Sequence, residues 1–294
     1  MHTTTLTLTP RRPFSFDRTL DFMCAFSPMA GEQELGGRRL VKALDVDGAV
    51  ALVDVAASGD ALSLAIDTEA PLSTEARPAV ADRVRFMLSL DDDLAPFYAR
   101  AAADAPLAPI VRALHGLHQP KFPSPFEIAV WAVLVQRVRI PIALRVKRSL
   151  TARFGARVGD EAAFPCAARL LAVPSSDLAF VVGSPVKAAA IRAIADALLA
   201  VDPAWLREGP YDEVERFLLD LPRIGPWSSS FILYRGLGRM ERVDFAEHRE
   251  LAACARAVYG AGADLHAIAR SYGADLGAWA FYLRAGAAVR RAAA

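Results

Sequence analysis

The sequence predicts an α+β protein: a small N-terminal antiparallel sheet domain with helices, followed by a mainly α-helical domain. Three observations carry that expectation. Short β-prone runs separated by Asp-Gly and Ser-Gly-Asp turn signals crowd the N-terminal part. Helical periodicity with recognisable caps fills the chain from Pro120 onward. The charge also changes sign: residues 1–106 hold 10 Lys+Arg against 16 Asp+Glu (−6), and residues 107–294 hold 24 against 17 (+7). With 294 residues and 54% hydrophobic content, there is ample material for a core in one to three domains. The change of texture near Pro106 divides the chain into expected domains 1–106 and 107–294.

In chain order, a helical pattern follows Pro13 and runs through Leu20, Phe22 and Met23. Residues 39–44, 49–55 and 61–66 read as strands, joined by Asp47-Gly48 and by Ser58-Gly59-Asp60. Asp91-Asp92-Asp93 and the Ala-rich stretch to Pro106 read as a transition between domains. Ser124-Pro125-Phe126-Glu127 is a capping box with proline at the first helical position, and the helix it opens, 126–135, is apolar nearly all round, which predicts burial. A loop through Gln136, Arg137 and Arg139 leads to a helix ending at Phe154, with Gly155 as its cap. Residues 175–182 form a helix closed by Gly183, and Ser184-Pro185 starts the next, with Lys187 in its first turns. Helices at 251–259, 265–272 and 276–290 complete the chain.

The stretch 211–251 is the most informative. Val214, Phe217, Leu218 and Leu221 lie three and four apart, on one face of a helix. Pro222 ends that helix, Gly225 permits a positive φ or a close approach, and Pro226 suits the first turn of a second helix, which runs to Gly236 and Gly238. Such a hairpin directs backbone N–H groups and a helix N-terminus outward, an arrangement that accepts a phosphate oxygen without reading base sequence. An ordinary turn between two core helices gives the same pattern.

LPRIGPWSSSFILYRGLGRMERVDFAEHREL resembles the helix-hairpin-helix Gly/Pro/Asp (HhH-GPD) superfamily of DNA base-excision glycosylases, within it the 3-methyladenine type II branch. FPSPFEIAVWAVLVQRVRIPIALRVKRSLTARFG and, more weakly, FSFDRTLDFM and DLAFVVGSPVKAAAIRAIADALL extend the resemblance over most of the chain. It implies double-stranded DNA containing damaged bases as partner, a monomeric protein, no membrane association and no required cofactor. It also implies a monovalent cation, Na+ or K+, held by the backbone carbonyls of Leu219, Leu221 and Ile224. By position in the pattern, Glu247 stands where the family has a catalytic Asp, with Asp244 three residues earlier as the reserve. Trp227, Phe231 and Phe22 match base-pocket aromatics. Gln136 ends the buried helix, Arg137 takes the position that fills the gap left by an extruded nucleotide, and Lys187 is a phosphate contact. Arg223 replaces the first hairpin glycine, and together with Gly225 would face the phosphate backbone. The lysine nucleophile of strand-cleaving relatives is Trp227 here, so the implied activity is a monofunctional excision of alkylated purines in base excision repair. The alternatives are an oxidised-base glycosylase and a catalytically silent damage-binding protein.

The ordinary readings remain open at several of these positions. Trp227 and Phe231 at helical spacing also suit a core, Arg137 and Arg139 suit a solvated loop, and an acidic residue before a helix suits its dipole. His248 reads as a solvated histidine, or as one that orients Glu247 or touches phosphate. Cys24, Cys166 and Cys254 lie far apart without CxxC spacing, which suggests buried thiols and argues against zinc or an iron–sulfur cluster. No basic region followed by an apolar run opens the chain, and no apolar run is long enough for a bilayer, so a cytoplasmic, nucleoid-associated location is expected.

Overall fold

A computed structural model describes residues 1–26, 28, 33–239, 241–242, 245 and 248–292. The N-terminal part is a five-stranded antiparallel sheet in the order β1-β5-β4-β3-β2, built from β1 (His2–Leu8), β2 (Glu34–Gly36), β3 (Arg39–Val46), β4 (Ala49–Ser58) and β5 (Ala61–Thr68). The three expected strands are present with their turns: Asp47 and Gly48 both take positive φ, 52° and 94°, and pair β3 with β4 through Val46↔Ala49. Strand β1 was not among those expected. Its Thr-Leu alternation suits a pleated edge, and it pairs along its length with β5. Alternate residues Ala51, Val53 and Val55 of β4 and Leu62, Leu64 and Ile66 of β5 are buried, as a one-sided sheet requires.

Helix α1 (Phe16–Ala25) is capped by Ser15, which accepts from the Arg18 amide, and sends Phe16, Leu20 and Met23 into the same core as the sheet. Helix α2 (Ala76–Met87) packs on β3 and β4. The stretch 91–106, expected as a transition, instead carries α3 (Ala95–Ala102), whose Phe97 and Ala101 are fully buried. With α4 (Ala108–Ala113) it joins a second core shared with α13 (Arg249–Tyr259), α14 (Leu265–Tyr272) and α15 (Leu276–Ala292). The segment expected to separate two domains therefore packs against helices from the far end of the chain.

Helix α5 (Pro125–Leu134) lies at the centre, with residues Phe126 to Leu134 all buried. Ser124 caps it by accepting from the Glu127 amide at 3.0 Å. The reciprocal half of the expected capping box does not form: Glu127 turns inward and takes a hydrogen bond from Lys147 of α6 (Ile140–Phe154) at 2.8 Å, where both side chains are buried. Gly155 ends α6 in extended backbone, with φ −68° and ψ 149°, rather than as a left-handed cap. It is glycine because a Cβ there would stand 2.1 Å from the carbonyl oxygen of Ala163.

A short hairpin of β6 (Arg157–Val158) and β7 (Glu161–Ala162), which lies against β3 and β4, is followed by α7 (Ala167–Leu171), α8 (Ser175–Val182), α9 (Pro185–Leu199), α10 (Pro203–Glu208) and α11 (Tyr211–Asp220); α9 packs against α5. Gly183 closes α8 in the left-handed conformation, φ 68°, as expected. Of the cysteines, Cys24 is exposed and the other two are partly so, which corrects the expectation of buried thiols.

Candidate functional site

The hairpin forms between α11 and α12 (Pro226–Ile232), with proline in the first turn of α12. The positive φ falls on Arg223, at 64°, and not on Gly225, whose φ and ψ are −97° and −176°. Open space lies where a Gly225 Cβ would stand, so nothing inside the described protein calls for glycine there. Arg223 holds a conformation that costs an L-residue about 1–2 kcal/mol, and its surroundings hold it in place. Its carbonyl accepts from Gln136 Nε2 at 2.6 Å, and its Nε donates to Gln136 Oε1 at 3.1 Å. Gln136 thus clips the loop after α5 to the hairpin.

Next to Gln136, Arg137 also takes a positive φ, 57°, and is exposed. Val138, Ile140 and Ile142, 38–49% exposed, continue an apolar edge beside it. Lys187 is placed differently from its expected role as a phosphate contact. Its Nζ donates to the carbonyls of Leu134 and Gln136, both at 2.9 Å, and so caps the C-terminal end of α5. Burial and then the nearby Arg223 hold its ammonium below its ordinary pKa.

After α12 the chain widens into a π-helical turn, Leu233–Leu237, closed by Gly238 at φ 71°. Gly236 lies against Ile128 of α5, where a Cβ would come within 2.4 Å of the Ile128 side chain. The carbonyls of Tyr234 and Arg235 accept from Gln119 Nε2 at 3.0 Å and from the Phe122 amide at 2.9 Å. Wide turns of this kind recur at functional sites because they redirect side chains. Here the turn sits beside a cavity of about 840 Å³, enclosed by α1, α12, the N-terminus of α13 and α15.

Phe22, Trp227 and Phe231 all line this cavity, so Phe22 of α1 is brought to the two sequence-predicted aromatics of α12. Trp227 and Phe231 stack nearly parallel, 5.3 Å between centroids and 7° between planes, and Trp227 remains 40% exposed. His248 also lines the cavity and is partly buried, with Nε2 2.6 Å from the Ser230 hydroxyl, which corrects the reading of a solvated histidine. Glu247 and Asp244 lie outside the described residues.

Several lining residues were not anticipated. Arg235 is the most unusual of them: it is 4% exposed, its guanidinium lies 4.3 Å from the Phe26 ring centroid and 5.3 Å from that of Phe22. Its Nε and Nη2 have no hydrogen-bond partner among the described residues. Burial pulls its pKa down to about 10; Tyr234 opposes that shift and Arg284 adds to it. It therefore stays charged at neutral pH. The sequence held a signal for it, since 227, 231 and 235 are four apart and share a face.

The AlkA N-terminal domain family matches residues 5–123. A DNA-3-methyladenine glycosylase of Bacillus subtilis (strain 168) is 27% identical over 173 residues, 57% of this chain and 57% of that protein. A probable bifunctional transcriptional activator/DNA repair enzyme AlkA of Mycobacterium tuberculosis is 28% identical over 246 residues, 80% of this chain and 47% of that protein. These likenesses support the AlkA-type helix-hairpin-helix glycosylase superfamily. It spans about half the length of the curated relatives it matches.

Among solved structures, a 3-methyladenine DNA-glycosylase from Archaeoglobus fulgidus superposes with a TM-score of 0.76 at 19% identity, over 96% of this chain and 97% of that one. A Clostridium acetobutylicum 8-oxoguanine glycosylase/lyase, crystallised with double-stranded DNA, gives 0.66 at 14% identity, over 95% of this chain and 92% of that one. At these identities the likeness speaks for the fold, and the α+β architecture with its N-terminal antiparallel sheet is the one the sequence predicted.

Proposed function

We propose that the protein is a monofunctional DNA glycosylase that extrudes alkylated purines from duplex DNA and hydrolyses their N-glycosidic bond. The observation that carries this reading is the cavity beside the hairpin, with Trp227, Phe231 and Phe22 in its wall. A duplex hides the glycosidic bond, so the nucleotide must rotate out into a pocket with aromatic walls. Trp227 supplies an exposed edge and face at the mouth; a cationic alkylated purine over it gains about 0.5–2 kcal/mol that a normal purine lacks. Outside the cavity, the Gly225 backbone and the α12 N-terminus would receive a phosphate, while exposed Arg137 fills the gap left in the stack.

A cationic base leaves readily, and the remaining demand is charge stabilisation at the sugar. In this reading Glu247 faces the developing oxocarbenium ion and orients water, with Asp244 as the reserve. Among the described residues lining the cavity there is no lysine, which suits hydrolysis without a Schiff base. The carbonyls of Leu219, Leu221 and Ile224, at the end of α11 and in the hairpin, are oxygen donors of the kind that would hold Na+ or K+. That of Leu221 already accepts the Ile224 amide at 3.1 Å and keeps a second lone pair. Such an ion would stiffen the hairpin. The protein would act as a monomer on the bacterial nucleoid, in the cytoplasm.

The test is release of free bases from methylated duplex DNA by wild type, Glu247→Gln and Asp244→Asn. Loss in Glu247→Gln with retention in Asp244→Asn supports the assignment, and the opposite pattern transfers the role to Asp244. Tight duplex binding without release by wild type favours a silent damage binder, a reading that the longer Glu247 side chain at the Asp position keeps in play.

A further inference from the structure

Helix α6 presents a charged surface that the reading above leaves unused. From Ile128 to Gly159 the chain has no Asp or Glu, and six cationic residues stand between Arg137 and Arg153, both included. The fold sorts these charges by face. Lys147 turns inward with Ala143 and Leu150 and meets Glu127 at 2.8 Å. Arg145, Arg148 and Arg153 stay exposed, as do Arg137 and Arg139 in the loop before the helix. The side chains of Arg137, Arg139 and Arg145 have no ion-pair partner among the described residues. The Arg153 guanidinium rests 5.8 Å from the ring centroid of Phe180, itself 78% exposed on α8. That helix packs on α6 and carries a single acid, Asp177, in its first turn. Like charges crowded along a helix repel one another, and a polyanion converts that repulsion into attraction.

We propose that the exposed arginine face of α6, Arg145, Arg148 and Arg153, tracks the phosphate backbone of the duplex beside the extruded nucleotide. This inference rests on the glycosylase reading and deepens it by extending the DNA interface away from the lesion. Continuity with the hairpin supports the placement, because Gln136 ties the Arg137 loop to Arg223 at 2.6 and 3.1 Å, and α6 starts directly after that loop. At 1.5 Å per residue the helix spans about 22 Å, the rise of about six base pairs of duplex. A guanidinium meets phosphate oxygens with paired N–H groups. Such contacts carry no base sequence, so this face adds affinity for damaged and undamaged duplex alike.

The experiment measures binding of the full-length protein to a short undamaged duplex over a series of salt concentrations. The triple change Arg145→Gln, Arg148→Gln, Arg153→Gln should weaken binding about tenfold or more at low salt, and should flatten the slope of log K against log salt by about 1 per arginine. The matching triple change to lysine should restore most of the slope, because a phosphate contact needs the charge. Removing three exposed arginines from helices of the second core, Arg112→Gln, Arg256→Gln and Arg270→Gln, should leave the slope nearly unchanged. Should the first triple variant fail to fold, Arg145→Gln alone should flatten the slope by about 1. An unchanged slope in a folded α6 variant, or equal flattening by both glutamine triples, overturns the proposal. So does binding of polyglutamate that depends on these arginines when duplex binding does not, which would assign the face to an acidic protein. Base release from methylated duplex, measured alongside, reports separately on the glycosylase reading. Release with an unchanged slope removes the α6 surface and leaves that reading, whereas an α6-dependent slope without release does the reverse. A wild type that binds no duplex overturns both.

Discussion

Gly225 sits in extended backbone with open space where a Cβ would stand. Gly225→Val should therefore leave stability within about 0.5 kcal/mol of wild type. If the glycine exists for a phosphate to approach, the same change should weaken duplex binding roughly tenfold, the worth of a hydrogen bond to a charged group. Thermal melting and a binding isotherm check the two halves, and unchanged affinity removes the hairpin's phosphate role. Trp227→Ala makes a complementary prediction. Single-turnover release of cationic bases should slow by the cation–π share, about 0.5–2 kcal/mol, with little effect on a neutral lesion. Equal slowing of both would mean that Trp227 contributes shape and not charge recognition. At this scale the aromatics were legible because i, i+4 spacing survives folding. Arg235 shares that spacing but was passed over, since an arginine in an apolar helical run reads first as a side chain that reaches out to water. Lys187 was misjudged for a related reason: sequence cannot show that its ammonium meets the open carbonyls ending α5.

Among the elements, α5 carries a buried ion pair, Glu127 with Lys147 of α6. Burial opposes ionisation of Glu127, but Lys147, then Lys42 and Arg83, outweigh it and hold the carboxyl below its ordinary range. Glu127→Gln removes the carboxylate that Lys147 Nζ meets at 2.8 Å and should cost up to about 3–5 kcal/mol in urea unfolding, while the double change Glu127→Leu, Lys147→Met should cost less than that single change. A single-mutant cost below about 1 kcal/mol would show that the pair is incidental. The sign of the pH dependence follows. A depressed folded pKa contributes stability that is complete above the unfolded carboxylate value of 4.5 and is lost as pH falls through the lower folded one. Wild type should accordingly lose more stability on acidification than the double variant. The burial of α5 was legible from its unbroken apolar pattern; the inward turn of Glu127 was not, because the same Ser-x-x-Glu spelling fits a surface capping box. Strand β1 escaped notice because its Thr-Leu alternation is short, with Leu6 and Leu8 as its apolar residues, and its partner β5 is distant in the chain.

Across the whole molecule, the cavity lies where two cores meet. Phe22 and Phe26 approach it from the N-terminal helix, Trp227 and Arg235 from the hairpin side, and Phe281 and Arg284 from α15. The architecture was readable from texture and turn signals, but the sharing of the second core by 94–117 and 245–285 was not, since no local pattern announces which distant helices will meet. The more basic part, residues 107–294, carries the hairpin and the Arg137 loop, and duplex binding should weaken with salt as phosphate contacts release counterions. Insensitivity to salt would argue against a backbone-tracking interface. The central claim is tested most directly by incubating the wild-type protein with methylated duplex DNA and separating free bases and strands. The account predicts methylated purines released into solution and an abasic strand left intact. Release of no base at all, or a strand cut by the protein itself, would contradict it.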